Sequence, residues 1–156
     1  VWRELKEEIE LEFSQLRRQM QDLSDLRAKV ASVPPDQVEV MALATFLQAF
    51  YNGLENSLKR IAIHIDGEPP AGPHSHSELL DRMSRPFKIR PAVVSQDSRE
   101  RLRLYMDFRH LFRHAYSFEL RWTKMAPLVH EAEATMCELE DEINRFLEAY
   151  RNDVQS

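Results

Sequence analysis

Apolar residues recur every three or four positions through most of the chain, the spacing of amphipathic helices. Leu5, Ile9, Leu16, Met20, Leu23 and Val30 keep one face apolar, with Phe13 close to the same stripe. They predict a first helix from about residue 3 to 31, ended by Val33-Pro34-Pro35. Asp36 reads as the N-cap of a second helix running to about His64, with Val38, Met41, Thr45, Phe50, Leu54, Leu58 and Ile61 inward. Gly53 interrupts it at roughly 1 kcal/mol relative to Ala, so close helix packing is expected there. Residues 66–76 read as a loop. Residues 77–83 read as a short helix capped by His76 or Ser75, and Arg85-Pro86 to Pro91 as another connection. A third long helix starts at Asp97 or Ser98, with Leu102, Tyr105, Met106 and Phe108 or Arg109 following, and continues toward His114. Pro127 suits the first turn of a last helix carrying Leu128, Ala132, Met136, Leu139, Ile143, Phe146 and Tyr150. The expected fold is all-α: an up-down bundle of four long helices plus a short one, residues 1–156 forming a single domain with an extended first helix.

Composition supports helices. Three glycines in 156 residues are too few for a hairpin-rich β fold, and 43% apolar residues suffice for a core. No apolar run approaches a membrane span, no signal peptide is visible, and the single cysteine excludes an intrachain disulfide framework; a cytoplasmic location is the expectation. The net charge of −5 argues weakly against a nucleic-acid partner, but it hides an asymmetry. Residues 82–124 carry eleven Arg or Lys against four acids, +7, leaving −12 for the two ends. Such a centre either holds a phosphate-rich ligand or pairs with the acidic helices beside it.

The segment from Asp107 to Tyr116 packs two Arg, two His and a Tyr into ten residues. Arg109, Arg113 and Tyr116, four and three residues apart, share a helical face. His114 lies about 140° from Arg109 around an ideal helix. One continuous helix therefore does not aim the two at one point. They converge only if the helix ends near His114 or a second copy of the chain supplies the partner. These residue types suit phosphodiester cleavage without a metal. A histidine transfers protons near neutral pH, an arginine fork steadies charge on phosphorus, and RNA brings its own 2′-hydroxyl nucleophile. Tyr116 could orient phosphate or stack a base.

Blander readings stand beside this. Arg and His on a charged helix are usually solvated. His110 and His114 at i, i+4 have the spacing of metal ligands but no nearby carboxylate pattern, so no metal and no cofactor are expected. His74 and His76 suggest capping or exposure, and Phe108, Phe112 and Phe118 suggest core.

Arg109-x4-His114-x-Tyr116 at a helix end, in a helical chain of this size, resembles the HEPN superfamily, and more closely the HepT toxins of bacterial HepT–MntA toxin–antitoxin pairs. Phe50 to Asn56 with Lys59-Arg60-Ile61, Asp66 to Pro70, Glu78-Leu79-Leu80 with Met83, and Phe108 to Leu120 carry the likeness over roughly residues 40–122. The resemblance implies a metal-independent endoribonuclease toxin of a type VII-like pair, acting on RNA. In it Arg109 and His114 are the catalytic pair, brought together across a homodimer or higher homo-oligomer, with His110 and Arg113 supporting. It also implies an MntA-like nucleotidyltransferase antitoxin that transfers AMP to Tyr116. Two other functions fit the residues: a non-catalytic helical subunit that grips a nucleotidyltransferase or a nucleotide, and a structural bundle whose acidic arms form a dimer interface.

Overall fold

The computed structural model describes residues 1–114 and 120–155. The described residues form six α-helices: α1 (Trp2–Asp22), α2 (Ser24–Val30), α3 (Gln37–Ile61), α4 (Ser75–Met83), α5 (Gln96–His114) and α6 (Trp122–Gln155). The structure is an all-α bundle, and no described residue lies in a β-strand. No described helix is long and apolar enough to cross a membrane.

The central element is α3, which packs against α1, α4, α5 and α6. It starts at a capping box. Asp36 accepts the Glu39 backbone N–H at 2.8 Å, and the Glu39 carboxylate accepts the Asp36 N–H at 3.0 Å. Leu43, Leu47, Phe50, Leu54, Leu58 and Ile61 are almost wholly buried. Val38 and Thr45, expected inward, are exposed. Val38 lies two positions from buried Val40 and so on the opposite side of the helix, and the Thr45 hydroxyl turns back onto the Met41 carbonyl of its own helix.

Ion pairs record the helix directions. Glu8 and Glu12 of α1 meet Arg60 near the end of α3, while Lys29 of α2 meets Glu39 at its start, so the α1–α2 arm runs antiparallel to α3. The Trp2 indole donates to the Leu147 carbonyl and Arg17 pairs with Glu140, setting α1 antiparallel to α6. Gly53 marks the closest approach: a Cβ there would lie 2.6 Å from Leu16 Cδ2. The close packing expected at this glycine is present.

The predicted first helix is two helices. Leu23 leaves helical geometry (φ −110°, ψ 16°), and the Met20 carbonyl takes a hydrogen bond from the Arg27 guanidinium. Neither glycine nor proline marks the break, so the apolar pattern passes straight through it. The bundle thus has two short helices, not one. The second long helix also ends differently: after Ile61 the chain widens into a π turn, Ala62–Asp66, which carries Asp66 into the interior. Pro127 is inside α6, five residues past its start, rather than in its first turn. Trp122 and Met125 pack on the core and draw the helix start backward.

Asp66 ties down the connection from α4 to α5. Arg90, 3% exposed, grips it with two parallel bonds, Nε–Oδ1 2.5 Å and Nη2–Oδ2 2.8 Å. Lys88 donates to the Asp66 carbonyl, and Arg82 and Arg90 lie over the Phe87 ring.

Candidate functional site

The helix bearing the motif is positioned by its apolar stripe. The Ser98 N–H donates to Ser95 Oγ at 3.1 Å, which sets the N-terminus of α5 slightly before the predicted Asp97 or Ser98. Leu102, Tyr105 and Phe108 then enter the core. The Tyr105 hydroxyl donates to the Leu128 carbonyl at 2.7 Å, pinning α5 to α6. One step beyond Phe108, Arg109 falls at the edge of the buried face and is half-buried.

Arg109 and His110 line a cleft of about 210 Å³ between α5 and the first turn of α4, together with Asp107, His74 and His76. Arg109 Nε is buried and has no hydrogen-bond partner among the described residues. Beneath it, α3 presents Tyr51 and Glu55, both buried. Burial first, then the Glu55 carboxylate, push the Tyr51 phenol far above its ordinary value, while the Arg109 guanidinium pulls the other way. The Tyr51 hydroxyl makes no hydrogen bond of ordinary geometry.

The motif residues do not all gather here. His114 is exposed on the last turn of α5, with its ring 4.6 Å from that of His110, and does not line the cleft. Arg113 is exposed on the same turn. Tyr116 lies outside the described residues. Within one chain, then, the geometry joins Arg109 to His110 and leaves His114 beside them, as their 140° separation on the helix requires.

The basic centre divides in two. Arg82 and Arg90 pair with Asp66, Arg99 with Asp81 and Glu100, and Arg101 with Glu138 of α6. Among the described residues, no carboxylate forms an ion pair with Arg103, Arg109 or Arg113. Arg82, Arg90, Arg99 and Arg101 therefore hold the fold together, and the motif arginines Arg109 and Arg113 are among those left without an ion pair in the described residues. No group of three or more His, Cys, Asp or Glu among the described residues is placed to hold a metal ion.

Sequence reasoning missed the wall opposite Arg109. His76 does not cap α4, which starts at Ser75 without a side-chain cap. The His76 Nδ1 is instead 2.7 Å from a Glu55 carboxylate oxygen. A signal was present: Tyr51, Glu55 and Lys59 recur every four residues along an otherwise apolar helix, so polar groups share one of its faces.

The Arg-x4-His helix thus lies in an all-helical bundle, with its arginine at a cleft. The family model described as HepT-like protein matches residues 42–150, and the chain belongs to that family. No curated protein and no solved structure matches it.

Proposed function

We propose that the protein is a metal-independent endoribonuclease toxin of a type VII-like toxin–antitoxin pair, acting in the cytoplasm as one HepT-like unit over residues 1–156. The observation that supports this best is the state of Arg109: half-buried at a cleft and without an ion pair among the described residues, while Arg82, Arg90, Arg99 and Arg101 upstream of it are tied to carboxylates. An arginine held so is pre-organised for a phosphate group.

The chemistry needs three events. A base removes the proton of a 2′-hydroxyl, the freed oxygen bonds to the adjacent phosphorus, and the P–O5′ bond breaks as an acid protonates the departing oxygen. Arg109 steadies the extra charge on the non-bridging oxygens. His114 moves protons, and His110 and Arg113 support it. Because His114 projects away from the Arg109 cleft of its own chain, the pair is completed across two subunits. Transfer of AMP from a MntA-like nucleotidyltransferase to Tyr116 would place a second anion and its bulk two residues from His114, blocking the strand.

Purified protein should cleave RNA, and His114→Ala and Arg109→Ala should each lose that activity with the fold retained. Mixing the two inactive variants should restore part of it, since one shared site in a mixed dimer is intact. Cleavage undiminished in both single variants would sink the assignment. Intact-mass spectrometry with and without the nucleotidyltransferase should show added AMP mapping to Tyr116. A second reading, a non-catalytic subunit gripping a nucleotidyltransferase, is favoured by the position of His114 outside the cleft. It expects a stable complex and no RNA cleavage by the purified protein.

A further inference from the structure

Glu55 sits in the middle of α3 and is 3% exposed. Burying a carboxylate so deeply costs several kcal/mol unless its oxygens are satisfied. One oxygen is met by His76 Nδ1 at 2.7 Å, and the other lies 3.5 Å from Lys59 Nζ. An ionised carboxylate has no proton to offer, so the hydrogen in the first contact belongs to Nδ1. The ring is thereby fixed in orientation, and Nε2 is the nitrogen left free. His76 is 38% exposed and lines the cleft. Across from it stands Arg109, its buried Nε without a partner. The wall bearing His76 is the first turn of a nine-residue helix that no side chain caps, so the α4 backbone adds a positive field. Asp107 is an acid on the lining and sits on the α5 side.

We propose that Arg109 and the Glu55-anchored His76 of the same chain form a phosphate-binding pair, and that the cleft takes one phosphodiester of a nucleic-acid strand. The guanidinium offers parallel N–H groups to the non-bridging oxygens. His76, as imidazolium, donates once to Glu55 and once to the phosphate. Glu55 acts through His76 and is a positioning residue. The strand's being RNA rests on the ribonuclease reading; the pair itself does not.

The test uses the intact protein and a fluorescent oligodeoxythymidylate, which carries phosphodiesters but lacks the attacking 2′-hydroxyl. Binding is followed by anisotropy at low salt, since phosphate contacts weaken as salt rises. His76→Ala and Arg109→Ala should each weaken binding about tenfold, in the range for hydrogen bonds to charged groups. The double variant should lose clearly less than the product of the two, because both groups hold one phosphate. Glu55→Gln should lose less than His76→Ala, and His130→Ala, exposed on α6 and outside the cleft lining, should lose nothing. Circular dichroism checks the fold; should His76→Ala unfold, His76→Gln takes its place with a weakening expected in the same direction. Parental affinity in the folded His76 variant, losses that multiply as for separate sites, or no binding by the parent overturns the pair. An RNA strand run in parallel separates the two ideas. Uncleaved RNA with the coupled losses intact removes the ribonuclease reading alone. Cleaved RNA with His76 indifferent removes the pair alone.

Discussion

Two carboxylates from one stretch of chain, Glu55 and Asp66, are buried to nearly the same degree, 3% and 2% exposed, and serve opposite ends. Asp66 is closed. Its two oxygens meet two nitrogens of Arg90, itself buried, and the remaining Arg90 donors reach the carbonyls of Arg85 and Pro91. Every strong group there is answered from within the protein, and the result is a clasp on the 85–91 connection. Glu55 is open. Its main partner is a histidine that is a third exposed and faces a cleft, and beside it Tyr51 and Arg109 keep buried polar atoms unanswered. Buried polar groups that close on each other hold a fold. Those left unanswered beside a cleft call for an explanation beyond the fold.

The contrast can be broken by substitution. Arg90→Ala should cost most, about 3–5 kcal/mol, because it strands the Asp66 carboxylate in the interior; urea unfolding reads this directly, and a loss under 1 kcal/mol would show the clasp to be ornamental. Arg109→Ala should hardly alter the same unfolding curve, by about 0.5 kcal/mol or less. It should reduce RNA cleavage about 100- to 1,000-fold, the scale for removing one donor to transition-state charge. A large stability loss with normal cleavage would reverse the roles of the two regions.

The two interior tyrosines sharpen the comparison at lower amplitude. Tyr105→Phe removes a hydroxyl that donates to Leu128, and should cost about 1 kcal/mol. Burial raises the Tyr105 phenol to about 12 from its ordinary 10.0. The folded state thus holds this proton more tightly than the unfolded chain, so the contribution is complete below pH 10 and is lost as pH climbs toward 12. Thermal melts across that window should show a weaker alkaline decline in the Phe variant. Tyr51→Phe should be the mildest change, near neutral, because the hydroxyl removed is buried beside the Glu55 carboxylate without a hydrogen bond of ordinary geometry. A loss above 1 kcal/mol would mean that the Tyr51 hydroxyl is satisfied by water.

Much of the bundle was legible beforehand because burial follows period. The inward positions read along α6, from Leu128 to Phe146, are buried. The Asp36 cap is local chemistry and was found where its spacing placed it. What escaped was decided by packing between distant segments. The break at Leu23 leaves the apolar repeat intact and is marked by an arginine seven residues after the carbonyl it satisfies. The π turn that buries Asp66 has its reason in Arg90, on the far side of α4. Pro127 is tolerated inside α6, where proline statistics alone favoured the first turn.

At the candidate site the division is sharper. The amino-acid pattern alone determined that α5 would be a helix and that His114 would point away from Arg109, since a period of 3.6 residues leaves no other choice. It also held the family likeness, in the motif and its flanks. Only the tertiary structure decided which arginines are spent on carboxylates and which are free. It alone brought His76, held by Glu55 twenty-one residues away in the chain, to the cleft that Arg109 lines. Ion pairing and cleft formation depend on distances between helices, and a linear pattern fixes the face of each helix without fixing what stands opposite.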